Sequence, residues 1–406
     1  MVMIDLQKAF DTVDHQILCY KLQAMGVSNV KWFQSYLTGR KQLVNVNGTE
    51  SNLEDITCGV PQGSILGPLL FLCYVNDMSI SINSDCKLLL YADDSTIIFS
   101  HKDPEFISQK LGNELESCSE WLIDNKLSLH LGKTECILFG PKRKLTTITD
   151  FQITCHGHVI KSQNSIKYLG IDIDQNLSGE ITVNNIIKKV NSRLRFMYRK
   201  AKCLSSETRK TLSMALIQCH FDYSCSSWYA GISKCLKNKL QVAQNKTVRF
   251  IKNMGPRTTV KQKELSSLGF LNVKSRVKQL RLNHAHKIFN NTCPSYLKNN
   301  FVRINEHHRY GTRSSHYNFV IPKIKGNEST SFYYNAIQDW NSLPESIKSI
   351  SDHKRFKKEV KCHLKCTSEE LENDGNIFLS PTIIINIPIF VIKTAFHIPF
   401  MLILDS

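Results

Sequence analysis

Over its first half the chain alternates short apolar runs with polar turns, and over its second half it changes to helical spacing. Met1-Val2-Met3-Ile4 reads as the end of a strand running into Asp5. DHQILCYKLQAMG, Asp14 to Gly26, puts Ile17, Leu18, Leu22 and Met25 at helical spacing, with Gly26 as a stop. A short helix over 30–37 follows. Asn47-Gly48 sits inside an alternating stretch and predicts a hairpin. CGVPQGSILGP is a loop punctuated by Gly and Pro, and LLFLCYVNDM predicts an apolar helix after it. Leu88 to Tyr91 and Thr96 to Phe99 predict two strands, joined by a turn of Ala92, Asp93, Asp94 and Ser95. Residues 104–126 predict a helix with Leu111, Leu115, Cys118, Trp121 and Leu122. NKLSLHLGKTECILFG predicts a turn and a strand, and KYLGIDID another strand near Tyr168. Mixed strands and helices around an antiparallel hairpin predict an α+β body. Helical patterns run from about 181 to 290, and residues 291–365 are loop-rich with short elements, including 331–347.

The tail from Ile377 to Ser406 is strongly apolar, yet Pro388, Lys393 and Pro399 interrupt it. No uninterrupted run of about 18 residues survives, so no stable membrane partner is expected. A non-native extension is at least as good a reading of the tail as a membrane helix.

A length of 406 residues leaves room for two to four domains, and 42% apolar with 21% charged residues excludes wholesale disorder. Charge changes the picture more. Residues 1–150 hold 13 Lys/Arg against 18 Asp/Glu, and the rest hold 39 against 17. A mildly acidic part joined to a strongly basic one suits a metal-binding body with a polyanion-holding arm. The 14 cysteines have no even spacing and no secretory signal opens the chain, so reduced thiols in an intracellular protein are expected, with a nuclear placement as a secondary expectation. Cys362 to Cys366, CHLKC, is the closest thing to a metal knuckle, but no second pair stands at zinc-finger spacing.

The Asp93-Asp94 pair carries the candidate chemistry. Two adjacent anions at a strand end repel each other, so a turn must expose them or a cation must hold them. Asp5, also at a strand end, can join them if the two strands are neighbours. Three carboxylates could hold two divalent ions about 3.5–4 Å apart. Mg²⁺ suits such a site, because it takes oxygen ligands and keeps positions open for phosphates. Asp14 reads instead as the N-cap of the following helix, and Asp11 as a polar residue at the strand-to-helix turn.

DLQKAFDTVDH, GVPQGSILGPLLF, YADD, LSLHLGKTECILF, KYLGIDID and DWNSLPESI follow one another in this order. With these motifs the chain resembles the reverse transcriptases of jockey-like non-LTR retrotransposons, from residue 1 to about 365. The resemblance implies a right-hand polymerase: an antiparallel palm with packing helices and residual fingers over 1–180 and a helical basic thumb over 181–290. A C-terminal region over 291–366 and an apolar tail over 367–406 complete the expected division. It implies RNA-directed DNA polymerisation, with RNA template, DNA primer and dNTPs as partners and two Mg²⁺ ions, or Mn²⁺, as cofactors. Asp5 and Asp93 would be the metal ligands and Asp94 an assisting one. Lys133 would neutralise or protonate the leaving pyrophosphate. Phe10 would be the steric gate against a ribose 2′-hydroxyl; from its position alone it reads as a core aromatic. Gly59, Pro61, Gln62 and Gly63 would position template and nucleotide, and Tyr168, Leu169 and Gly170 would support the primer end.

Between 186 and 202 stand seven basic residues and no acidic one: Lys188, Lys189, Arg193, Arg195, Arg199, Lys200 and Lys202. This is the expected phosphate-binding face of the thumb. The family's fingers precede the first of these motifs, so an N-terminally truncated polymerase is expected. The alternative is a catalytically inactive nucleic-acid-binding remnant.

Overall fold

The computed structural model describes residues 1–373 except 149, 291, 308–315 and 324–328. The expectations for the tail beyond 373 lie outside the described residues. The described chain is mixed α+β, with small antiparallel sheets and many helices, and divides into two units, residues 1–169 and the residues from 170 onward.

The first unit is built on four antiparallel strands. They are β1 (Val2–Ile4), β2 (Lys87–Tyr91), β3 (Asp94–Ile98) and β4 (Glu135–Cys136), in the spatial order β2-β3-β1-β4. Val2 pairs with Ile97 on one side and Cys136 on the other, and all three side chains are fully buried. Leu111, Leu115, Cys118 and Leu122 of the helix Pro104–Asp124 join the same core, as the spacing predicts. So do Leu18 and Leu22 of the helix His15–Ala24 and Leu70, Phe71 and Tyr74 of the helix Leu66–Val75. Each large apolar side chain removed from water contributes about 1.5–3 kcal/mol, so this shared core holds the strands in register. Tyr74 adds a polar tie: its hydroxyl donates to the Asn125 carbonyl at 2.7 Å and accepts from the Asp14 amide at 3.3 Å.

Three local expectations change. The turn between β2 and β3 is only Ala92 and Asp93, because Asp94 and Ser95 already pair in β3. The strand expected after Lys133 is just two residues, and Lys133 lies in the turn before it. KYLGIDID, one strand by its apolar pattern, is part of a hairpin, as its resemblance to a primer-grip hairpin implies: Ser165–Tyr168, a turn at Leu169-Gly170, then Ile171–Asp174. Leu169 and Gly170 both have positive φ, 44° and 81°, which matches the right-handed twist of a tight hairpin. The Asn47-Gly48 hairpin forms as predicted, with φ of 52° and 87°.

The second unit is helical and has two apolar clusters. One gathers Val183, Val190, Leu194, Ile217, Leu240 and Phe250. The other gathers Leu282, Phe301, Phe332, Trp340, Phe356 and Val360. The helix Val273–Phe289 contributes to both, with Val277 in the first and Leu282 in the second.

Candidate active site

Asp5 directly follows Ile4, which pairs with Ser95. The ladder ends at that pair, and Asp5 and Asp94 are each the next residue beyond it. Asp93 is the second residue of the adjoining two-residue turn. The turn needs Ala92 at φ 53°, a left-handed value that costs a β-carbon residue about 1–2 kcal/mol. The cores behind β1 and β3 hold that conformation in place. Asp94 keeps exposed surface, yet partial burial and then the charges of Asp93 and Asp5 push its carboxyl above the ordinary carboxylate pKa. Asp94 thus feels both of the other carboxylates at one end of the sheet.

The donor set fits hard divalent cations: three carboxylates and no sulfur or nitrogen among them. Among the described residues, no three His, Cys, Asp or Glu side chains, Asp5, Asp93 and Asp94 included, stand together closely enough to hold a metal ion. An Mg²⁺ ion here would need substrate phosphates and waters to complete its ligands.

The remaining expected residues fall around this end of the sheet to different degrees. Phe10 is half-buried, its ring 4.4 Å from that of Phe71, so one face packs on the core. The loop 58–63 is tied to the segment after β1. Gly59 donates its amide to the Val13 carbonyl at 2.8 Å, and Val60 donates to Phe10 at 2.8 Å. His15 Nε2 lies 2.7 Å from the Gly59 carbonyl. A Cβ on Gly59 would stand 2.7 Å from the Asp11 carbonyl oxygen, and its φ is +87°. Gly59 is therefore required by contact with Asp11. Gly63 at φ +80° has open space around it. Gln62 is exposed and donates its side-chain amide to Asp11 Oδ1 at 2.8 Å. Pro61 accepts from Ser64 Oγ at 2.7 Å, and Ser64 Oγ accepts the Gly67 amide at 2.9 Å, which fixes the start of the next helix.

Lys133 is exposed in a turn whose first residue, His130, donates its amide to the Asp5 carbonyl at 2.8 Å. That turn therefore lies against the strand end that carries Asp5. Tyr168 is 2% exposed, beside Thr96 and Asp94, and burial with the Asp94 charge pushes its pKa up to about 12. It forms part of the floor behind Asp94, while Leu169 and Gly170 at the turn are more exposed.

In the second unit, the expected basic segment is the helix Glu180–Arg199 and the turn after it. Val183, Ile186, Val190, Leu194 and Met197 face its core. Lys188, Lys189, Arg193, Arg195, Arg199, Lys200 and Lys202 are all exposed. Burial and then the charges of Lys189 and Arg193 hold His220 below its ordinary pKa, which marks the local field as positive.

Two residues have more to do than the sequence suggests. Asp11, read as a polar turn residue, is bonded to a residue 51 positions away, which no local pattern signals. Phe196, with 64% of its surface exposed between Arg195 and Arg199, is an aromatic in the middle of the basic face. Its signal was present, because it falls off the apolar stripe of its own helix. Asp14 behaves as the sequence predicts: its carboxylate caps Gln16 and Ile17 at 2.9 Å each. It also pairs with Lys126 at 2.6 Å, so Asp14 is committed to structure and not to the carboxylate cluster.

Residues 1–173 match the family model described as reverse transcriptase (RNA-dependent DNA polymerase). The chain is 26% identical over 255 residues to the probable RNA-directed DNA polymerase from transposon X-element of Drosophila melanogaster, covering 61% of this chain and 28% of that protein. It is 26% identical to the RNA-directed DNA polymerase from mobile element jockey of the same organism, with the same two coverages of 61% and 28%. The probable RNA-directed DNA polymerase from transposon BS is 27% identical, over 62% of this chain and 28% of that protein. The matched region thus spans under a third of the length of these relatives. Among solved structures, telomerase from Candida Tropicalis is 13% identical and covers 66% of this chain and 48% of that one, with a TM-score of 0.32. Residues 1–173, which carry Asp5, the Asp93-Asp94 pair and the loop tied to the segment after β1, are thus the part of the chain that matches the reverse transcriptase (RNA-dependent DNA polymerase) family, and the relatives it resembles are polymerases of mobile elements.

Proposed function

We propose that the chain catalyses RNA-templated addition of deoxynucleotides to a primer 3′-hydroxyl, with the first unit acting as palm and the helix Glu180–Arg199 as a thumb element. The observation that supports this reading is that Asp5 lies one residue past the Ile4–Ser95 pair, while Asp94 and the Asp93 turn lie at the same strand end. Asp5 and Asp93 would hold two Mg²⁺ ions, with Asp94 assisting. When bound, such ions activate the attacking 3′-hydroxyl and stabilise the leaving pyrophosphate. The protein's own contribution is to fix the ligands on a packed sheet, so that little reorganisation is left for the reaction.

Gln62, held by Asp11, presents an exposed amide beside the segment that carries Phe10, where a template base pair and its nucleotide can be aligned. The free edge of Phe10 would exclude a ribose 2′-hydroxyl. Lys133, on the turn against Asp5, would deliver a proton or positive charge to the leaving pyrophosphate. Tyr168 backs Asp94, and the Leu169-Gly170 turn would support the primer end. The basic face of the helix Glu180–Arg199 would bind backbone phosphates independently of sequence.

Primer extension tests the reading. A labelled DNA primer on an RNA template should lengthen with dNTPs and Mg²⁺, and Asp93→Ala should abolish this. Equal extension by wild type and Asp93→Ala would refute it. Primed-template binding with no extension under any divalent ion would leave only a nucleic-acid-binding remnant.

A further inference from the structure

The helix His353–Asn373 carries a second basic face, built differently from the first. Phe356, Val360 and Leu364 recur at a spacing of four and are 0%, 0% and 4% exposed, so they form its core side. Lys354, Lys357, Lys358, Lys361 and Lys365 recur at spacings of three and four, the period of one helical face. They form a lysine row of about 16 Å at the helical rise of 1.5 Å per residue. The one acidic residue of this stretch, Glu359, falls on the other side of the helix. None of the five lysines is in an ion pair among the described residues. Lys210 and Arg276, from two other helices of the same unit, add positive charge at Lys361, whose pKa is lowered by burial and then by Lys365, Arg276 and Lys210. Aligned like charges cost stability unless an anion relieves them.

We propose that this lysine row is a second nucleic-acid surface, binding the phosphate backbone of a single RNA strand apart from the helix Glu180–Arg199. A row of ammonium groups matches a row of phosphates. Lysines, as flexible point charges, suit a backbone read without sequence preference. A membrane surface fits less well. An interfacial helix must offer its apolar face to lipid, and the apolar residues of this helix are already buried in the protein. The choice of RNA over other polyanions rests on the proposed use of an RNA template.

The test uses the full chain and a labelled, unstructured 20-nucleotide RNA, with anisotropy read across a salt series. Lys354→Glu, Lys357→Glu and Lys358→Glu together should weaken binding at least ten-fold. The dependence of log Kd on log salt should become shallower by about 2, since each lost single-strand phosphate contact removes roughly 0.7. The corresponding triple change to Gln should give a smaller loss in the same direction and serves if the Glu variant does not fold. Unchanged affinity and slope in a folded variant would overturn the proposal. Tighter binding to phosphatidylcholine–phosphatidylserine vesicles than to RNA, lost with the same lysines, would overturn RNA as the partner. Primer extension is read separately: a chain inert in extension that still loses RNA with these lysines would sink the polymerase reading and keep this one.

Discussion

Gln62 donates its side-chain amide to the Asp11 carboxylate across 2.8 Å, joining the loop after Gly59 to the segment that leaves β1. The bond is exposed, so it adds little stability; its effect is to aim the amide. A misplacement of about 1 Å in a positioning group can cost on the order of 100-fold in rate. Asp11→Ala should therefore lower nucleotide incorporation roughly 10- to 100-fold while leaving the thermal midpoint nearly unchanged. Asp11→Asn, which keeps an acceptor oxygen, should recover part of the loss. Stopped primer-extension kinetics and a melting curve check both statements.

Gly59 and Gly63 have similar φ values, +87° and +80°, but only Gly59 abuts backbone. Gly63→Ala should cost about 1–2 kcal/mol from the left-handed conformation alone. Gly59→Ala adds a contact of 2.7 Å with the Asp11 carbonyl, which must move the loop. Its cost should exceed that of Gly63→Ala by on the order of 1–3 kcal/mol, as overpacking does. Denaturant unfolding of the two variants in parallel decides the difference.

Lys188, Arg195 and Arg199 are exposed on the helix Glu180–Arg199. Reversing all three to Glu should weaken primed-duplex binding ten-fold or more near 0.1 M salt, because each duplex phosphate contact contributes about 0.9 to the salt slope. Equal salt slopes for variant and wild type would assign this helix to solvent.

His286 is 1% exposed, stacked on Phe356 at 4.0 Å, and its Nδ1 lies 3.1 Å from Nδ1 of His353. One ring can donate to the other only while the pair is not fully protonated. His284, Lys287, Lys357 and Asp352 surround the pair; the Ile350 carbonyl, 2.8 Å from His286 Nε2, and Asp352 favour added charge. Burial holds both rings below the ordinary value of 6.5. The unfolded chain therefore binds more protons, so stability is full above that pH and is lost as pH falls through and below it. The melting temperature should fall between pH 7 and 5, and His286→Gln should flatten that fall.

The parts of this architecture that were legible in the sequence are those set by local pattern. Asp14 as N-cap, the Asn47-Gly48 hairpin and the helix with Leu111, Leu115 and Cys118 each follow from spacing and turn chemistry. The neighbouring of Asp5 with the Asp93-Asp94 turn is not legible locally, since strand pairing over some 90 residues leaves no local trace. The turn length at Ala92 was misjudged because Ala rarely takes positive φ, and here the paired strands on either side impose it. The lysine row of the helix His353–Asn373 was hidden for another reason: only when Phe356, Val360 and Leu364 are known to be buried does its outward face become defined.

The central claim is that Asp5, Asp93 and Asp94 form one divalent-metal site, and metal binding tests it most directly. Mn²⁺ titration followed by electron paramagnetic resonance, with primed template and dNTP present, should show tight uptake by the wild-type chain. Asp5→Asn and Asp93→Asn should each reduce it strongly, and Asp94→Asn less. Uptake unchanged in Asp5→Asn and Asp93→Asn, with the fold intact, would contradict the account.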